Sequence, residues 1–128
     1  MTAGERRAVL DSLQAALARL RDALSQPKTE WTRDASIQRF EFSFELAWKA
    51  VRRFAQEEGV EAVSPRQALK AALRLAWIDD DSAWLTMLDD RNRTSHTYRE
   101  ATAEEIYSRL SGHLQRLEGL AERLATLS

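Results

Sequence analysis

Ile37-Gln38-Arg39-Phe40-Glu41-Phe42-Ser43-Phe44-Glu45-Leu46-Ala47-Trp48-Lys49-Ala50-Val51-Arg52-Arg53-Phe54 is the run that decides the fold. Ile37, Phe40, Phe44, Ala47, Trp48, Val51 and Phe54 recur at helical spacing and make one broad apolar face. Phe42 and Leu46 lie beside that face and widen it, which predicts a helix buried on more than one side and central to the fold. The expected span is from about Thr32 to about Glu58, with Gly59 as the stop. Glu41, Glu45 and Lys49 follow one another at i+4 and share a side. They read either as surface ion pairs or as a set in which Glu45 or Lys49 faces a polar site from this helix.

Working outward, Leu10, Leu13, Leu17, Leu20 and Leu24 form the stripe of a helix from about Ala3 to about Ser25, and Pro27 ends it. Downstream, Ser64-Pro65-Arg66-Gln67 combines a capping hydroxyl, proline at the first helical position and Gln at the capping-box position. That helix is expected to run to about Trp77. A short fourth helix is capped by Asp79, Asp80 or Asp81, buries Trp84, Leu85 and Leu88, and reaches about Arg91. Thr102-Ala103-Glu104-Glu105 reads as the capping box of a closing helix, and Ile106, Leu110, Leu114, Leu117, Leu120, Leu124 and Leu127 carry its stripe. His113 borders this stripe and reads as structural. No strand-like alternation appears, so the expected fold is an all-α, up-and-down bundle of four to five helices in a single domain over residues 1–128.

Composition narrows the function. There is no cysteine and there are two histidines, which removes disulfides, thiolate metal sites and cysteine nucleophiles and leaves no zinc signature. No signal-peptide core or membrane-length apolar run is present, so a soluble, cytoplasmic protein without a membrane partner is the default expectation. The net charge of −1 supplies no global basic field, so contact with RNA has to be local or made by more than one chain.

Core formation does not explain Asp89-Asp90-Arg91-Asn92-Arg93-Thr94-Ser95-His96-Thr97-Tyr98-Arg99-Glu100, which holds almost no apolar surface. On a continuous helix, Arg91 and His96 point about 140° apart. Thr94, Ser95 and Thr97 compete for backbone hydrogen bonds and predict that the helix turns there. A break lets Arg91, His96 and Tyr98 approach one concavity. Arginine offers a fork of donors matched to phosphate, histidine moves a proton near neutral pH, and Asn92 can hold a base, a ribose or the imidazole. That set suits cleavage of RNA without a metal or other cofactor. One copy carries only half of an acid–base pair, and a two-fold homodimer would supply the rest. By spacing alone, a capped helix end is the better explanation of these residues. The acids Asp79–Asp81 and Asp89–Asp90 would oppose RNA if they lay near the site.

The pattern Arg91, four residues, His96, one residue, Tyr98 resembles the motif of the HEPN domains (higher eukaryotes and prokaryotes nucleotide-binding). Asp34–Lys49, Ser64-Pro65-Arg66, Trp84-Leu85 and Arg91–Tyr98 are similar, in order and spacing, to one HEPN branch, the nucleotidyltransferase substrate-binding family. The resemblance implies a helical bundle that dimerises. It also implies a partner, a minimal nucleotidyltransferase, in a toxin–antitoxin pair of type VII-like kind. Arg91 and His96 would then be catalytic in a ribonuclease, with Asn92 assisting, and Tyr98 would be the hydroxyl that the partner modifies with AMP. Two other readings stand beside this one: a non-catalytic subunit that presents a nucleotide or substrate to a nucleotidyltransferase, and a purely structural dimer.

Overall fold

The computed structural model describes residues 1–127. Its helices are α1 (Ala3–Ser25), α2 (Glu30–Glu57), α3 (Pro65–Arg74), α4 (Ala83–Asn92) and α5 (Glu100–Ala125), with a 3₁₀ turn at Thr94–His96 between the last two. There is no strand among the described residues. The all-α bundle expected from the periodicity is the fold observed.

Apolar stripes from three long helices build the centre. Leu13 and Leu20 of α1, Phe40, Phe44 and Val51 of α2, and Ile106, Leu110, Leu117 and Leu124 of α5 are all but inaccessible to solvent. Helix α2 is the hub and packs against α1, α3, α4 and α5. Polar contacts along the seams give the helix directions. Glu5 meets Arg53 and the Arg19 carbonyl meets Arg39, so α1 and α2 are antiparallel. Arg21 meets Glu118 while Lys28, just past α1, meets Glu104, so α1 and α5 are antiparallel as well. Helix α5 therefore runs parallel to α2, and the short pair α3–α4 makes the return between them. Ser36 and Ser43 are buried on α2, and their hydroxyls donate to the Thr32 and Arg39 carbonyls at 2.7 Å, so they need no partner across the core.

Helix ends differ from the sequence expectation at three places. Helix α2 starts at Glu30, ahead of Thr32: Thr29 accepts from the Thr32 amide at 3.0 Å and the Thr32 hydroxyl accepts from the Thr29 amide at 2.7 Å. This capping box uses threonine where the usual signature has Glu or Gln. Helix α3 stops at Arg74, short of Trp77. Ala76 turns left-handed (φ 60°), the Trp77 amide donates to Ala72 O at 2.8 Å, and the Ala76 amide donates to Leu73 O at 3.1 Å. These are the two bonds of a Schellman end. The end of α2 repeats them around Gly59, as expected of that glycine. Helix α5 starts at Glu100, so Thr102 lies inside it and caps nothing. Arg33 holds Glu100 at 2.6 Å and Glu104 at 3.0 Å, and this long-range clamp overrides the local capping signal.

Phe42 and Leu46 correct another expectation. They are 50% and 36% exposed, so the buried surface of α2 is the face built on Phe40, Phe44 and Trp48. Together with Ser12, Ala15, Ala16, Arg19, Arg39 and Glu45 they line an open groove of about 490 Å³ between α1 and α2. Leu85, expected on the inner side of α4, is also exposed. No helix among the described residues is long and apolar enough to cross a membrane.

Candidate functional site

Helix α4 presents the site because it is anchored at both ends. At its start the cap position is Ser82, which makes no side-chain capping bond, and of the three acids expected there it is Asp81, one residue earlier, that accepts from the Ala83 amide at 2.9 Å and from Arg116 Nε at 3.1 Å. Along its length Trp84, Met87 and Leu88 are buried. At its end the hydroxyls act as the composition implies. Thr94 Oγ1 donates to Arg91 O at 2.8 Å and Thr97 Oγ1 to Thr94 O at 3.2 Å, so the helix closes at Asn92 and gives way to the 3₁₀ turn.

Arg91, on the last turn of α4, reaches across to α2. Its Nη2 donates to Glu45 Oε2 at 2.6 Å, its Nη1 to Asn92 Oδ1 at 3.3 Å, and its guanidinium lies 5.9 Å from the Phe44 ring centre. Glu45 Oε2 also accepts from Trp48 Nε1 at 3.1 Å, and Lys49 Nζ stands 3.4 Å from Glu45 Oε1. Burial pushes the Glu45 carboxyl up, but hydrogen bonds from Trp48 and Arg91 outweigh it and hold the group below the usual glutamate range. Of the two readings of Glu45 and Lys49, the structure combines both. They form a surface i,i+4 pair, and Glu45 also faces the polar stretch.

His96 and Tyr98 project from the turn. Their rings meet edge to face with centres 6.2 Å apart. His96 is exposed and Tyr98 is 73% exposed, with the Arg99 guanidinium 5.5 Å from the phenol ring. The site thus has two groups: Arg91–Asn92–Glu45–Lys49 and His96–Tyr98. Among the described residues, no hydrogen bond or ion pair joins Arg91 to His96. Nor do any three His, Asp or Glu side chains there form a metal-ligand cluster.

Of the five acids that would oppose RNA, Asp79, Asp80 and Asp89 stay exposed, while Asp90 and Asp81 are held by the fold. Asp90 is fully buried and Asp81 is taken by Arg116. Arg93 pairs with Glu105 and lies 3.9 Å from Asp89. Sequence reading missed Asp90 as an interior residue. Its signal was present: Trp84, Met87 and Asp90 fall at successive i+3 positions on the buried side of α4. His113 is buried as a structural residue, with Nε2 2.7 Å from Asp90 Oδ2. The Arg33 clamp was also missed, because its partners lie 67 and 71 residues away.

Comparison with known proteins gives a consistent picture. Residues 8–126 match the family described as nucleotidyltransferase substrate binding protein like. A Haemophilus influenzae relative, named probable ribonuclease HepT, is 35% identical over 94 residues, which is 70% of this chain. The match spans 64% of that relative's length. A solved Thermus thermophilus structure superposes with a TM-score of 0.83 at 37% identity, covering 88% of this chain and 98% of the other. A solved Haemophilus influenzae structure, described as revealing the fold of a substrate-binding domain of a nucleotidyltransferase, superposes with a TM-score of 0.69 at 28% identity, covering 97% and 99%.

Proposed function

Because this chain belongs to the nucleotidyltransferase substrate-binding family of HEPN domains, we propose that it is a metal-independent endoribonuclease acting through Arg91 and His96. The observation that carries the reading is Arg91 fixed between Glu45 and Asn92 at a helix end, with the exposed pair His96–Tyr98 following on the turn that closes that helix.

The chemistry needs no more than these groups. A ribose 2′-hydroxyl attacks the adjacent phosphorus and the bond to the 5′-oxygen breaks, leaving a 2′,3′-cyclic phosphate and a 5′-hydroxyl. One imidazole takes the proton of the attacking hydroxyl, and a second gives a proton to the departing oxygen. Arg91 donates to the non-bridging oxygens as charge builds on the phosphorane. Glu45 and Asn92 keep the guanidinium aimed, and Lys49 adds positive charge beside them. A homodimer places a second His96 opposite the first and completes the acid–base pair.

Regulation follows from the exposure of Tyr98. The partner is a minimal nucleotidyltransferase that acts as antitoxin. The phenol oxygen attacks the α-phosphorus of ATP, a new P–O bond forms and pyrophosphate leaves. The AMP group adds bulk and negative charge near the phosphate-binding arginine and repels RNA. A second reading, a non-catalytic subunit presenting a nucleotide to a nucleotidyltransferase, draws on the description of the solved Haemophilus influenzae relative.

Two measurements test these readings. Purified, unmodified dimer is incubated with RNA in EDTA. Cleavage to cyclic-phosphate ends that is lost in His96→Ala supports the ribonuclease; intact RNA favours the second reading. Intact mass after mixing with the partner and ATP should rise by whole AMP units, and the gain should vanish in Tyr98→Phe. AMP addition that persists in that variant would move the acceptor to another residue.

A further inference from the structure

The most enclosed polar cluster in the described structure stands directly behind the site, and the mechanism above does not use it. Asp90 immediately precedes Arg91, and its carboxylate has no solvent access. Both oxygens are occupied. Arg109 of α5 grips them as a fork, Nη2 to Oδ1 at 2.6 Å and Nε to Oδ2 at 2.8 Å. His113 Nε2 reaches Oδ2 at 2.7 Å, so that nitrogen carries the proton it shares with the carboxylate. The other ring nitrogen, Nδ1, is buried with no hydrogen-bond partner. The imidazole is stacked on Phe40 of α2, with centres 5.3 Å apart and planes 28° from parallel.

Such a cluster is a poor way to gain stability. Burying a charge is costly, apolar replacements of buried ion pairs are often neutral or better, and an unpaired buried nitrogen adds to the cost. What the cluster does supply is a fixed address for the last turn of α4. That helix has ten residues and ends at the site, so its end cannot be held by length alone. Two adjacent residues, about 100° apart around the helix axis, reach different neighbours. Asp90 is locked to α5 through Arg109 and His113, and Arg91 is locked to α2 through Glu45. Phe40 and Phe44, with ring centres 6.2 Å apart on α2, close the circuit: His113 stacks on the first and Arg91 lies near the second.

We propose that Asp90 and His113, with Arg109, are positioning residues that seat the Arg91 guanidinium against Glu45. This rests on reading Arg91 as the phosphate-binding group of the site, but its test does not depend on that reading. Trp48 Nε1 donates to Glu45 Oε2, the same oxygen that accepts from Arg91, so the Trp48 indole N–H reports whether Arg91 is seated.

The experiment compares indole N–H signals in proton–nitrogen correlation spectra of the full chain. Trp48→Phe assigns the Trp48 peak, and Arg91→Ala marks its position when the guanidinium is gone. His113→Phe keeps a ring on Phe40 and removes the bond to Asp90, while Asp90→Asn keeps the shape and removes the charge. Both should move the Trp48 peak toward the Arg91→Ala position and leave the peaks of Trp31 and Trp77 where they are. A Trp48 peak unmoved in His113→Phe, with Arg91→Ala moving it, would overturn the proposal even if Asp90→Asn failed to fold. In the RNA assay, His113→Phe should lower kcat by about ten-fold or more with KM nearly unchanged, because a displaced guanidinium weakens the transition state more than binding. A wild type that leaves RNA intact would sink the ribonuclease reading alone, since the indole peaks still decide the role of Asp90 and His113.

Discussion

Ala76→Gly should make this protein more stable. Ala76 sits at φ 60° at the end of α3, where an L side chain crowds its own backbone. That conformation costs roughly 1–2 kcal/mol for a residue with a Cβ. Glycine removes the cost but gives the unfolded chain more freedom, which takes back about 0.4–1 kcal/mol. Ala76 is exposed, so deleting its methyl loses no core packing. The net gain is therefore about 0.5–1 kcal/mol. With an unfolding entropy of about 2.1 cal/mol/K per residue, a chain of this length should melt about 2–4 °C higher. The same fold provides the reverse experiment. Gly59 ends α2 with the same two backbone bonds at φ 76°, and a Cβ built there meets nothing within 4 Å. Gly59→Ala should thus lower the melting temperature by about the same amount, through backbone strain alone. Calorimetry of the wild type and both variants checks the pair. A neutral or destabilising Ala76→Gly beside a costly Gly59→Ala would show that α3 does not end in a left-handed alanine, and the account of that turn would fail.

Three further outcomes are expected. Arg33→Met should speed amide hydrogen exchange at Tyr98–Thr102 before it affects the α1–α2–α5 core, because Arg33 ties the start of α5 to α2; uniform acceleration across the chain would contradict the clamp. Acid should destabilise the fold. Burial pushes Asp90 up, but Arg109 and His113 hold it below the usual aspartate range, and Arg33 keeps Glu100 and Lys28 with Arg33 keeps Glu104 below the usual glutamate range. A depressed folded pKa contributes stability above the ordinary carboxylate value, near pH 4, and loses it as pH falls through the folded value. The melting temperature should therefore drop below about pH 4.5, less steeply in Asp90→Asn, and a rise on acidification would reverse the sign. Light scattering at micromolar concentration should give a dimer, whereas a monomer would leave the cleavage site without its second imidazole.

Local patterns carried much of the architecture. The leucine stripe of α1, the aromatic stripe of α2, Ser64-Pro65 and Gly59 each act within a turn or two of chain, so their consequences are visible in order. The end of α4 near Thr94 was legible for the same reason, since hydroxyls compete with the nearest carbonyls. The motif Arg91, His96, Tyr98 was legible as residue types in a row.

Contacts between distant segments were decided only by tertiary packing. Whether Glu45 served as a surface charge or as the partner of Arg91 depended on bringing together positions 46 residues apart. Asp90 looked like one more exposed acid until Arg109 and His113 of α5 closed over it. Phe42 and Leu46 looked like core, yet α1 leaves an open groove beside them. Helix α5 begins two residues before its best capping signal because Arg33 is already waiting for Glu100. Helical periodicity says which side of a helix is apolar, since that follows from the chain's own geometry. Which neighbour meets each polar group depends on how the helices stack, and that is a property of the assembled bundle.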